Sequence, residues 1–180
     1  MDMERSAVIF ILLISFLFKS YGQQAKPSSS KIKFEIGPQF SMPLNENFRT
    51  THYLGFGATS RAAYYFTDEI STGIRINYDY FLGKKYESPT PDRYFNVTWT
   101  SLLVNFQYDL KKEFYFGGDA GIGIININGI TNSSFNTSVY FGKAVTVFKT
   151  SIGMAIYWTQ ARESTSRNET LGLSAAFRFN

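Results

Sequence analysis

The chain has 180 residues, 44% of them hydrophobic and 18% aromatic, with 18 Phe, 12 Tyr and a formal charge of +4. That length suits one domain, and the scattered bases, never interleaved with aromatics in a patch, exclude a nucleic-acid surface. The absence of cysteine and the single histidine, His52, exclude a disulfide framework and a zinc centre.

An apolar run from Ala7 to Phe18, broken only by Ser15, opens the chain behind Arg5. As a helix it would rise about 18 Å, short of the roughly 30 Å hydrocarbon core, so a transmembrane anchor is not expected. A signal peptide over 1–22 is, with Ser20-Tyr21-Gly22 as a small-x-small cleavage site and Gln23 as the new N-terminus. The charge stays at +4 after cleavage, because the leader holds two bases (Arg5, Lys19) and two acids (Asp2, Glu4). Residues 23–30 are polar and aperiodic, a flexible periplasmic lead-in.

From residue 31 onward the pattern has a period of two. The first strand, 31–42, alternates Ile32, Phe34, Ile36, Phe40 and Met42 with Lys31, Lys33, Glu35, Gln39 and Ser41. After a long connection, strand two (53–66) sets Leu54, Phe56, Ala58, Ala62, Tyr64 and Phe66 against Gly55, Gly57, Thr59 and Arg61. Thr67-Asp68-Glu69 is a tight turn. Strand three (70–82) sets Ile70, Thr72, Ile74, Ile76, Tyr78 and Tyr80 against Ser71, Gly73, Arg75, Asn77 and Asp79. A loop from Gly83 to Asn96 holds Pro89 and Pro91, which do not belong in a central strand. Strand four (97–110) sets Leu102, Val104, Phe106, Tyr108 and Leu110 against Asn105, Gln107 and Asp109, and ends in the turn Lys111-Lys112-Glu113.

Strand five (114–126) sets Phe114, Phe116, Ala120, Ile122 and Ile124 against Tyr115, Gly117, Asp119, Gly121 and Gly123. A loop is expected from Asn128 to Asn136. Strand six (137–148) has apolar residues on both parities. Placing Tyr140, Ala144 and Phe148 outside is favoured over Val139, Phe141, Val145 and Val147, because it hides Lys143. After Lys149-Thr150-Ser151, strand seven (152–160) presents Ile152, Met154, Ile156 and Trp158. A charged loop, Ala161 to Asn168, leads to strand eight (169–180), with Leu171, Leu173, Ala175, Phe177 and Phe179 against Gly172, Ser174, Ala176 and Arg178.

Short and long connections alternate, long first, which predicts an all-β, eight-stranded antiparallel up-and-down transmembrane barrel with both termini periplasmic. The apolar face is the lipid face. Tyr64, Phe66, Phe114, Phe116 and Phe148 near the turns, and Tyr78, Tyr80, Tyr140 and Trp158 near the loops, form two interfacial girdles. A soluble lipocalin-like barrel binding an apolar ligand would invert the faces. The glycine-dense polar face and its charges of mixed sign suit a narrow lumen instead. There Lys33, Arg61, Arg75, Lys143 and Arg178 would pair with Glu35, Asp79, Asp109 and Asp119.

On the Ile32–Met42 strand, the glycine-rich strands and the closing Leu171-Gly-Leu-Ser-Ala-Ala-Phe-Arg-Phe179, the chain resembles the small OmpA-like and OmpX-like outer-membrane barrels. In style it is similar to the outer-membrane β-barrel families of Bacteroidetes-type bacteria, PorT-like proteins included. The resemblance covers 31–180 and implies an outer-membrane location, contact with lipid and lipopolysaccharide, and insertion by the barrel assembly machinery, which reads a terminal aromatic. Here Phe179 is penultimate and Asn180 last.

Some barrels of this size modify lipid A as acyltransferases or deacylases, using a His, a Ser and an acid. Glu87, Ser88, Asp92 and Ser101 could approach His52, but no local motif selects them, and a solvated loop histidine is the expectation. Gly117-Gly118-Asp119-Ala120-Gly121-Ile122-Gly123 lacks the Lys-Ser/Thr and helix of a phosphate loop and is strand glycine. The Asn-x-Ser/Thr triplets at Asn96, Asn132, Asn136 and Asn168 are read as chance. No catalytic, cofactor or metal residue is assigned. The interior charges either plug the lumen or line a narrow polar path, and eight strands favour the plug. Loop aromatics Phe48, Tyr86, Tyr94, Phe95 and Phe135 are available for adhesion, for docking an envelope partner, or for packing over the mouth. The expectation is a structural, adhesive or assembly role without intrinsic catalysis.

Overall fold

A computed structural model describes residues 31–86, 92–110, 113–147, 150–164 and 166–179. The leader, its cleavage site and the 23–30 lead-in lie outside the described residues. Eight strands close into one antiparallel barrel: β1 (Ile32–Pro43), β2 (His52–Tyr65), β3 (Ile70–Gly83), β4 (Val97–Asp109), β5 (Phe114–Ile127), β6 (Ile130–Val147), β7 (Thr150–Arg162) and β8 (Arg167–Phe179). Each strand pairs with its chain neighbour, and β1 closes the ring on β8, with Phe34 opposite Phe179. Closure leaves no strand edge along the wall.

The period-two pattern determines which side chains point where. Phe34, Ile74, Val104, Ile122 and Leu173 face out at 55–66% exposure, while Ser71, Asn105, Gln107 and Asn136 face in at 0%. The apolar surface is outside and the polar surface inside, the reverse of a soluble ligand-binding barrel. Ile70 keeps the outward parity but is buried at its turn, where its carbonyl accepts from Phe66 N–H at 2.9 Å.

Strand six faces the other way from the expectation. Val139 and Phe141 are outside, Tyr140 is buried inside and Lys143 is on the exterior. The ladder explains the choice. Tyr140 is paired with Gly117 and its ring needs the space that glycine leaves, whereas Lys143, paired with Phe114 near the short turns, lays its Nζ 5.4 Å from that ring. A lysine at a strand end reaches polar surroundings along its apolar stem. Tyr140 therefore leaves the outer girdle; Phe148 falls outside the described residues.

The expected loop over 128–136 is also strand. β5 and β6 continue to a two-residue turn, Asn128-Gly129, with φ of 51° and 83°. An Asn-Gly pair with both φ positive is the turn that matches strand twist, and it pins the register of β6. The charged connection over 161–168 shrinks likewise, since β7 runs to Arg162 and β8 starts at Arg167. The first connection holds a short helix, α1 (Glu46–Thr51), and the second a two-residue ladder, Lys85-Tyr86 against Asp92-Arg93. Replacing Gly129 by valine should strain the tip alone. Amide exchange should accelerate over the β5–β6 tip, while the unfolding free energy of the barrel falls by no more than about 1–3 kcal/mol.

Candidate functional site in the barrel interior

Inward parity stacks β1 through β8 side chains into a filled column with three layers. The lowest, at the end holding both termini, centres on Glu35. It faces Arg61 directly across β2 and Arg178 directly across β8. Arg61 Nη1 donates to its carboxylate at 3.2 Å, and Arg178 Nε lies 3.0 Å from the same oxygen. The Arg178 N–H is off line for a hydrogen bond, so that contact is Coulombic, and the guanidinium rests 4.4 Å from the Tyr115 ring. Arg61 also donates to Gln107 Oε1 at 2.9 Å, Ser71 Oγ at 2.7 Å and Asn105 Oδ1.

Asn105 extends this layer into the middle one. Its Nδ2 donates to Asp119 Oδ1 and, at 2.8 Å, to Tyr140 OH. Asp119 Oδ2 accepts from Arg75 Nη1 at 2.8 Å, and Arg75 lies 4.3 Å from the Tyr140 ring. Three tyrosines fill the rest. Tyr115, Tyr140 and Tyr157 each sit opposite a glycine of the neighbouring strand: Gly142, Gly117 and Gly172. An added Cβ on any of these would fall 2.3–2.4 Å from the facing tyrosine.

Above them, Asp79 accepts from Gln39 Nε2 at 2.8 Å and Ser41 Oγ at 2.6 Å, and Ser41 contacts Tyr157 OH at 2.8 Å. The expected charge pairing is corrected here. Asp79 and Asp109 are held by amides and a hydroxyl, not by arginines; Gln107 supplies Asp109. Lys33 lies over the Tyr65 ring at 4.2 Å, and Lys143 is outside. Only Arg61, Arg75 and Arg178 pair with Glu35 and Asp119.

An apolar cap closes the far end. Phe48 swings in from α1 onto Phe81, Val97, Trp99, Ile125 and Ala161, its ring 4.9 Å from that of Phe81. The alternation does not mark Phe48, a loop aromatic that packs over the mouth as one of its expected roles; Phe81 and Trp99 occupy inward parities and could have been read with it as a cap. Among the described residues, interior cavities of about 20 and about 10 Å³ lie between the layers. Each is room for about one water, so the described side chains form a plug rather than a path.

His52 belongs to the cap and is buried, not solvated. Its Nε2 donates to the Phe95 carbonyl at 3.0 Å and its Nδ1 meets Thr51 Oγ1 at 2.8 Å. Both nitrogens are occupied in anchoring α1 and the second connection. Ser101 is not near it in function: it accepts from Asn136 Nδ2 at 2.7 Å inside the lumen. Glu87 and Ser88 lie outside the described residues, and the backbone of Asp92 stands in the small ladder. Among the described residues no group of three metal-ligating side chains occurs. Of the loop aromatics, Phe48 is in the cap, Phe135 is on β6, and Tyr94 and Phe95 are exposed.

No protein-family profile and no curated protein sequence matches the chain. Solved structures do. Neisserial surface protein A superposes with a TM-score of 0.58 at 13% identity, over 84% of this chain and 98% of its own. Ail, the attachment invasion locus protein of Yersinia pestis, in complex with the heparin analogue sucrose octasulfate, gives 0.53 at 11%, over 82% and 97%. The N-terminal β-barrel domain of Pseudomonas aeruginosa OprF gives 0.52 at 14%, over 82% and 97%. At these identities the shared property is the fold: a small, closed, eight-stranded barrel of the outer-membrane type.

Proposed function

We propose that this chain is an integral protein of a bacterial outer membrane, a sealed barrel that serves as a scaffold for its exposed end in a structural, adhesive or assembly role, with no chemistry of its own. The observation that carries the reading is the continuous apolar exterior around a polar, filled interior. A soluble monomer rarely exposes an apolar patch beyond a few hundred Å², whereas lipid requires one. The first strand begins at Ile32 and the last ends at Phe179, at the end opposite the α1 connection and the 84–96 connection, which supports assigning both termini to the periplasm, with residues 1–22 as a cleaved signal peptide and 23–30 as a tether. The barrel assembly machinery would take the closing β8 strand with Phe179. The opposite end, where Tyr94, Phe95, Ile130 and Phe135 are exposed, would meet lipopolysaccharide and extracellular or envelope partners.

Fractionation followed by a detergent gel with and without boiling tests this. The expected result is an outer-membrane band whose mobility changes on boiling; a soluble periplasmic band that does not shift would refute it. In planar bilayers the purified protein should give no large, stable conductance step, because the lumen is filled. Incubated with lipid A and phospholipid, it should leave both unchanged. A modified lipid that disappears with His52→Ala would replace this reading with an enzymatic one.

A further inference from the structure

On the exterior of β7 and β8, at the end away from the termini, Arg162 and Arg167 occupy directly opposite positions in the ladder. Both share the outward parity of Trp158 and Leu171, since Ala161 and Thr170 beside them are buried inward. Like charges directly opposite one another destabilise a sheet unless an anion lies between them. One acid contributes: Glu169 pairs with Arg167, and the Gln160 amide oxygen, turned toward it, accepts from the same guanidinium. Those contacts fix Arg167 in place. Glu163, next in sequence, is taken by Ser166 and Asn168 at 3.0 and 3.1 Å. Among the described residues no ion pair forms to Arg162, which stands exposed.

We infer that this arginine pair holds the phosphate group of a membrane lipid, an inference that rests on the membrane reading above. A guanidinium fork matches phosphate oxygens in pairs; Arg162 presents that fork, and Arg167, whose Nε and Nη2 face Gln160 and Glu169, adds its Nη1 donor and its charge from the adjacent strand. The surface next to the pair favours a lipid over a free ion. One polar row down, Val139, Trp158 and Leu171 form an apolar row across β6–β8, and Phe141, Ile156 and Leu173 continue it. Acyl chains attached to a phosphate held by the arginines would run down that wall. Trp158 stands at the depth where an indole marks the interface.

The test uses the full mature protein in detergent micelles with phosphatidic acid or phosphatidylcholine, read by native mass spectrometry. Wild type should retain phosphatidic acid about tenfold over phosphatidylcholine, by roughly 1.4 kcal/mol. R162Q/R167Q should lose the preference, and R162Q alone most of it. Equimolar inorganic phosphate should not displace the lipid. Equal retention by wild type and variants, or displacement by inorganic phosphate, would overturn the site. R162Q decides the matter if the double variant does not fold, because no described ion pair depends on Arg162. The boiling shift separates the two readings: a wild type that shifts but shows no lipid preference counts against the arginine pair alone, and one that never shifts counts against the membrane barrel.

Discussion

Glu35→Ala should cost the barrel about 3–5 kcal/mol of unfolding free energy, measured by urea titration in lipid vesicles. The magnitude follows from what is left behind. Glu35 is the one carboxylate between Arg61 and Arg178, itself and Arg61 buried and Arg178 partly so, and it meets both across adjacent ladders. Removing one member of a buried pair leaves an uncompensated charge, and here it leaves two. Arg61 would keep Gln107, Ser71 and Asn105, but these are dipoles. Glu35→Gln, which preserves volume, should therefore recover only a minor part of the loss, while adding Arg178→Leu to Glu35→Ala should recover more. If Glu35→Ala changes the midpoint by less than 1 kcal/mol equivalent, water reaches this layer and the plug is looser than its geometry.

Much of this architecture is written in local pattern and some of it is not, for a physical reason. Alternation needs only neighbours two residues apart, so the outward stripes of β1, β2, β4 and β8 and the inward Glu35, Arg61, Arg75, Asp119 and Arg178 are legible directly. Register is different. The partners of Glu35 come from β2 and from the far end of the chain, and nothing local says that Arg178 closes beside it. Strand six failed for a related reason. Its two parities are both apolar, and a lysine there argues for the inward face only if its charge must be hidden, whereas its place beside Phe114 lets the stem lie along the surface. Asn128-Gly129, flanked by Ile127 and Ile130, is a hairpin signal in the sequence, but the polar composition of 128–136 around it resembles a loop. Phe48 sits in a connection, where no periodicity marks an inward side chain; its aromatic composition allows packing over the mouth, which is where it lies, but its partners on other strands are not local to it.

The second large effect belongs to the paired tyrosines and glycines, which tie the middle layer to the wall. Gly172→Val should destabilise by about 3 kcal/mol, the upper part of what overpacking usually costs. A Cβ at 172 would stand 2.3 Å from Cζ of Tyr157 and 2.5 Å from the Phe40 carbonyl oxygen, so moving the ring relieves only one of two collisions. Displacing Tyr157 would also release Ser41, which holds Asp79, so the disturbance should pass into the layer beneath the cap. A double-mutant cycle separates ring from wall. Gly172→Ala and Tyr157→Ala share the same space, so their combined cost should fall short of the sum by about 1 kcal/mol or more. Strict additivity would mean that Tyr157 already has room, and that glycine at 172 serves the β1 backbone alone.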